Sequence, residues 1–209
     1  MAKPLASALL HDESALVREV AAQGLGYLGD AEVAPALAQA LRHDRAESVR
    51  RRAAAALILV PGNAAQSALQ QALRTDKSEY VRRYAAEALG WMGGPSVVPA
   101  LIGAAGDPAP EVRRYAAVEL GNIIEEERLT EELRSQALEA LVKLFKDRDS
   151  DVRWAAVMAV GKMRDKRAVG YLKVALDDPV TMVSHAAERG LQKLGLAERR
   201  AVEFKTETQ

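Results

Sequence analysis

The sequence predicts an all-α chain folded as an α-solenoid, a right-handed superhelix of six stacked helix pairs. Three observations predict it: one short pattern recurs six times, apolar residues between the copies fall at helical spacing, and no stretch alternates with period two. The copies read Asp12 with Val17-Arg18, Asp44 with Val49-Arg50, Asp76 with Val81-Arg82, Asp107 with Val112-Arg113, Asp147 with Val152-Arg153 and Asp178 with Val183-Ser184. In each, the Asp lies five residues before the Val, a small pair such as Ala-Ala follows, and Leu-Gly usually comes next. The Val positions step by 32, 32, 31, 40 and 31. A fixed step of this size marks units that cannot bury their apolar faces alone and must stack.

Each unit alternates two helices. The first carries Leu5 and Leu9; Val33, Leu37 and Leu41; Leu69 and Leu73; Val97 and Leu101; Leu138, Leu141 and Leu144; or Leu172 and Leu176. The second starts near the Val-Arg pair and runs about three turns, with small residues such as Ala53 to Ala56 letting neighbouring helices approach closely. Ser14, Ser78 and Ser150 stand at N-cap positions, Pro110 suits a first turn, and Gly29, Gly93 and Gly94 end second helices. The units span 3–29, 31–61, 63–93, 95–127, 130–164 and 166–196, one domain over 1–196, followed by a polar tail at 197–209.

Two departures stand out. The step of 40 adds about eight residues around Asn122 to Glu132, rich in Glu125, Glu126, Glu127, Glu131 and Glu132, as a lengthened second helix or a protruding acidic loop. The last unit has Ser184 in place of Arg, and Gly190 weakens its helix by about 1 kcal/mol relative to Ala, which fits a terminal unit.

Charge balances at 29 Lys and Arg against 29 Asp and Glu, which argues against a DNA-coating protein. The absence of Cys excludes disulfides, thiol catalysis, iron–sulfur clusters and Cys-based zinc sites. No apolar run reaches the length of a membrane span, and Met1-Ala2-Lys3-Pro4 opens no signal-peptide core, so the expectation is a cytoplasmic protein without membrane contact.

The Asp-x5-Arg spacing followed by small-small-x-x-Leu-Gly resembles HEAT repeats. The short period and the wording VRRYAAEALGWMGG are similar to the HEAT-like subclass of the phycobilisome lyases, over residues 3–196. The resemblance implies a ladder along the stack formed by Asp12, Asp44, Asp76, Asp107, Asp147 and by Arg18, Arg50, Arg82, Arg113, Arg153. The spacing supports such a ladder, since each Arg can reach the Asp of its own or an adjacent unit. It also implies that the second helices line the concave face.

On that face the residue after each Arg, and those four and eight further on, form an outward ridge. The ridge and its neighbouring row gather both Trp residues, three of the five Tyr and a run of Arg. The candidate partner-binding residues are Tyr27, Arg51, Arg52, Arg83, Tyr84, Glu87, Trp91, Arg114, Tyr115, Trp154, Met158, His185 and Arg189. Trp, Tyr and Arg dominate binding hot spots, and the central run of Arg favours an acidic protein or peptide partner.

No catalytic or metal-binding set and no cofactor is expected. His11 and His43 sit at ends of first helices, where a His favours the helix C-terminus, and His185 is isolated. No His is followed by Glu as in the HEAT-like deoxyhypusine hydroxylases, and no Gly-rich loop follows a strand. The leading expectation is a non-catalytic protein-binding scaffold. An alternative is an accessory of bilin attachment to or removal from phycobiliproteins, with the groove holding a tetrapyrrole. Nucleic-acid binding, as in HEAT-like alkylpurine glycosylases, ranks last because the chain is neutral overall.

Overall fold

A computed structural model describes residues 2–60, 62–126 and 129–196. Its twelve α-helices are α1 (Ala2–His11), α2 (Ala15–Leu28), α3 (Ala34–His43), α4 (Glu47–Ala56), α5 (Asn63–Thr75), α6 (Glu79–Met92), α7 (Val98–Ala104), α8 (Pro110–Glu126), α9 (Glu131–Lys143), α10 (Ser150–Met163), α11 (Val169–Ala175) and α12 (Thr181–Lys193). No strand occurs among the described residues, and none of the helices is long and apolar enough to cross a membrane. The architecture is an α-solenoid. The tail at 197–209 and Glu127 lie outside the described residues.

The helices pair in sequence, α1 with α2 through to α11 with α12, and the second members contact one another in series. The repeated valine explains the layer between units: Val49, Val81, Val112, Val152 and Val183 are all sealed from solvent. Burying one such side chain contributes about 1.5–3 kcal/mol. Leu37, Leu41, Leu69, Leu101, Leu141 and Leu172 fill the other side of the same continuous core.

The glycine of Leu-Gly sets how closely second helices approach. A Cβ at Gly26 would lie 2.8 Å from Ala56 Cβ, and one at Gly121 would lie 2.8 Å from both Cα and Cβ of Ala159. Gly161 meets Gly190 in the same way, with a Cβ at Gly161 only 3.0 Å from Gly190 Cα. Gly190 is therefore a close-packing residue; its cost to helix propensity is the condition for α10 and α12 to touch. At four of the five joints the second helices are accordingly in more extensive contact than the first helices, the condition for a stack that curves around them. The α4–α6 joint is different. Here α4 stops at Ala56, Ile58 takes the place of the glycine, and the outer pair α3 and α5 is in more extensive contact than the inner pair.

Three of the about eight residues added between units four and five lengthen the second helix: α8 has 17 residues where α2, α6 and α10 have 14. Thr130 then caps α9 by accepting from Leu133 N–H. One cap expectation is corrected. Asp149, rather than Ser150, is the N-cap of α10 and accepts from the N–H groups of Asp151 and Val152; Ser150 is already helical. The residue just before the helix is the one whose side-chain oxygen can face the free N–H groups of the first turn, and Asp149 holds that place. Ser14 occupies the N-cap of α2 but its side chain makes no cap hydrogen bond, whereas Ser78 Oγ accepts from Val81 N–H.

Candidate functional site

Two surfaces gather the chemistry-bearing residues: the line of turns where each second helix begins, and the inner face of the second helices.

Along the turns, five arginines form forked ion pairs with aspartates of the following unit: Arg18 with Asp44, Arg50 with Asp76, Arg82 with Asp107, Arg113 with Asp147 and Arg153 with Asp178, at 2.6–2.7 Å through Nε. Nη2 donates to the second carboxylate oxygen in each. Nη1 turns back and donates to the backbone carbonyl of the Asp of its own unit. Each carboxylate also accepts the N–H two residues on, as Asp44 does from Ala46 and Asp178 from Val180. Every rung thus closes its own turn and clamps the next unit, with its donors and acceptors largely satisfied.

Forward reach shifts the expected ladder by one unit. Asp178 belongs to it although it was not among the expected residues. Ser184 in place of Arg obscured its role, but its partner is Arg153 of the unit before. Asp12 was expected to take a rung; among the described residues its carboxylate accepts only Ser14 N–H, at 2.8 Å. Burial pushes the carboxyls of Asp44 and Asp147 up, and the guanidinium groups of Arg18 and Arg113, with backbone N–H donors, outweigh this and hold them below the ordinary carboxylate range. The hydrogen bond from Arg153 holds Asp178 low. Between successive rungs lie open polar clefts of about 380 and 360 Å³, the first lined by His43, Arg50 and Asp76 and the second by His11, Arg18 and Asp44. His11 and His43 are the last residues of α1 and α3.

On the inner face, Tyr27, Leu59 and Trp91 occupy the same position of three successive units and are 73 %, 51 % and 72 % exposed. Eight residues before Leu59 and Trp91 stand Arg51 and Arg83 of a guanidinium row, with Glu19 at that position in the first unit and Arg114 in the fourth. Arg51 makes no ion pair or hydrogen bond among the described residues, whereas three neighbours are engaged. Arg52 pairs with Glu19 at 3.2 Å, Arg83 with Glu87 at 3.8 Å, and Arg114 with Glu111 at 2.7 Å. Arg83 Nη1 also donates to Tyr115 Oη, and its guanidinium lies 4.1 Å from the Tyr84 ring centroid and 5.0 Å from that of Tyr115. Arg114 covers Tyr115 from its own side at 4.6 Å. Tyr84, Tyr115, Arg83 and Arg114 are accordingly half-buried in one interleaved stack.

The central run is therefore less basic than the sequence implied, because Glu19, Glu87 and Glu111 neutralise three of its four cations. Trp154 and Met158 are half-buried and line a small cleft of about 100 Å³ with Val118 and Lys162, so Trp154 presents less ring than Trp91. His185 and Arg189 are exposed at the far end.

One inner-face residue was missed altogether. Glu119 is 8 % exposed in the position where neighbouring units carry Ala88 and Ala159. A Cβ on Gly90 would lie 2.3 Å from its carboxylate, so the side chain fills the notch that Gly90 leaves. Asn122 Nδ2 donates to it at 3.1 Å, Lys162 donates to Asn122 Oδ1 at 2.7 Å, and Glu125 pairs with Lys162 at 3.2 Å. Burial raises the Glu119 carboxyl above the ordinary 4.5, against the opposing hydrogen bond from Asn122. The only signal in the sequence was a charge at a position otherwise reserved for small residues.

The two kinds of carboxylate act oppositely with pH. The lowered rung aspartates stabilise the fold fully above 3.8, their ordinary value, and lose that contribution as pH falls through their folded values. Glu119, raised, contributes stability below 4.5 and loses it as pH rises through its folded value. Glu119→Ala, which restores the small residue of the other units, is expected to raise stability at pH 7 by about 1 kcal/mol while leaving acid unfolding in place. Thermal melts at pH 3, 5 and 7 check both halves.

The family model described as HEAT repeats matches residues 2–80, 66–135 and 128–192. The chain belongs to the HEAT-repeat family. An engineered protein superimposes with a TM-score of 0.66 at 23% identity, over 92% of this chain and 98% of that one. A designed armadillo repeat protein in complex with peptide (KR)4 gives 0.63 at 19% identity, over 91% and 98%. Human deoxyhypusine hydroxylase gives 0.51 at 19% identity, over 93% and 84%. No curated protein matches. At these identities the HEAT-repeat fold is what the chain shares with its structural neighbours. Among the described residues, no group of three or more His, Cys, Asp or Glu is placed to hold a metal ion.

Proposed function

We propose that this HEAT-repeat chain is a non-catalytic protein-binding scaffold that holds an acidic partner segment across the inner face of its first four units. The observation that carries it is the row of Tyr27, Leu59 and Trp91, three large apolar side chains in register and exposed by half or more. Along α6 eight residues of helix, about 12 Å, separate Trp91 from Arg83, whereas Leu59 lies three residues beyond the end of the helix that carries Arg51. That width matches the 10–12 Å diameter of an α-helix with its side chains. A partner helix with one apolar and one acidic face would lay the first on Tyr27, Leu59 and Trp91 and turn the second to Arg51 and its neighbours. Two donors of the cationic row, Arg52 Nε and Arg114 Nε, are buried without a hydrogen-bond partner, and an incoming carboxylate that draws these side chains outward relieves that deficit. The designed armadillo neighbour carries a basic peptide; the free cation here favours the opposite sign. The bilin alternative is weaker, because the ring faces of Tyr84 and Tyr115 that would stack on a macrocycle carry guanidinium groups.

A synthetic amphipathic helix with Leu on one face and Glu on the other is the probe, read by Trp91 emission in a Trp154→Phe background. Binding with a blue shift is expected. Arg51→Ala with Leu59→Ala should weaken it about tenfold or more with the melting temperature nearly unchanged. Equal binding of the Lys-for-Glu version of the peptide, or indifference to the paired substitution, would overturn the reading.

A further inference from the structure

The first unit presents an unfinished version of the interface that joins all the others. Five rung aspartates receive an arginine from the unit before; Asp12 receives none among the described residues and accepts only Ser14 N–H. Val17 is 42 % exposed, whereas its five equivalents are 0–1 % exposed. Val17 has its own first helix, α1, beside it as the others do, so the missing cover is that of a preceding unit. Leu16 and Val20, 70 % and 58 % exposed, extend the same surface, and with Leu5 and Ala8 they line an almost wholly apolar cleft of about 300 Å³.

We propose that this face docks the edge of another α-helical repeat, one whose last helix presents an arginine. The interior joints of the stack define the chemistry of that occupant. Its guanidinium forks onto the Asp12 carboxylate, whose Oδ1 is already oriented by Ser14 N–H as Asp44 Oδ1 is by Ala46. Its apolar ridge covers Leu16, Val17 and Val20. A second copy of this chain adding head to tail lacks the key group. Ser184 stands where the arginine would be, and its hydroxyl donates back to Thr181 C=O. The unpaired carboxylate and the missing guanidinium thus select an arginine-bearing repeat edge over this chain's own last unit, and so over self-polymerisation.

The test converts the chain into its own probe. Ser184→Arg makes the last unit end as unit five does, with Val183 followed by Arg as Val152 is by Arg153, and the Asp178 carbonyl is positioned to hold Nη1 as the Asp147 carbonyl holds that of Arg153. Sedimentation velocity is expected to show association that grows with concentration for Ser184→Arg and not for the unaltered chain. Adding Asp12→Asn, or Val17→Glu, should weaken it about tenfold or more, with circular dichroism confirming that each variant is folded. Because the chain has no Cys, a dye on Leu16→Cys reports whether contact forms at this face. Ser184→Lys, a cation without the fork, replaces the probe if Ser184→Arg does not fold. No gain in association with either cation overturns the proposal, as does association indifferent to Asp12. Self-association of the unaltered chain that Val17→Glu abolishes and Asp12→Asn does not would put a second copy on this face and equally overturn it.

Discussion

Replacing Arg50 by alanine is expected to destabilise the chain by about 3–5 kcal/mol, the cost of breaking a buried pair and stranding one charge. The expectation rests on burial: Arg50 and Asp76 side chains are 6 % and 8 % exposed, among the least of the five rungs. Removal would leave the Asp76 carboxylate with only Ser78 N–H and would free the Asp44 carbonyl that Arg50 Nη1 holds. For a chain of this length each kcal/mol moves the melting temperature by about 2–4 °C, so a fall on the order of 10 °C is the readout. Arg113→Ala, at a rung with a more exposed arginine, should cost less. Equal, small losses at both would show that the ladder orients units without stabilising them. A double-mutant cycle with Asp76→Ala separates the pair from its parts.

A second large effect is expected from Gly121→Val. Every rotamer of the new side chain starts from a Cβ placed 2.8 Å from the backbone Cα of Ala159, so relief requires α8 and α10 to move apart. Overpacking of this kind costs about 1–3 kcal/mol, and the β-branched residue offers little room to yield. Separation on the inner side alone also straightens the stack. Small-angle scattering should therefore show a longer molecule, and the melt a lower midpoint. Gly103→Val, where a Cβ meets nothing, is the control and should change shape little. An unchanged scattering profile for Gly121→Val would remove close glycine contact as the origin of the curvature.

The fold was legible because one physical demand, burial of the face between units, writes the same residues six times. The ladder was harder. Asp-x5-Arg puts two carboxylates within reach of each arginine, and spacing alone does not choose between them; the choice of the following unit moved Asp178 in and Asp12 out. Cap positions failed by one residue at Asp149 and Ser150, adjacent side chains with similar capping chemistry. The inner face was read from helical periodicity, which locates Trp91 well but says nothing of pairing across helices. Glu19, Glu87 and Glu111 reach the cationic row through space or from an adjacent turn, so its surplus of charge shrank. Glu119 escaped because its burial depends on a notch in another helix, at Gly90, 29 residues upstream.

The forward-reaching rung has a consequence for how such a chain can change length. Arginine and aspartate of one bond come from different units, yet all five bonds have the same geometry. Excise one whole period, such as 76–106, and Arg50 finds Asp107 where Asp76 stood. Duplicate it, and the copy is received at both ends by partners it already fits. Growth and shrinkage by whole modules need no new chemistry, whereas a cut through half a module leaves one orphaned charge on each side.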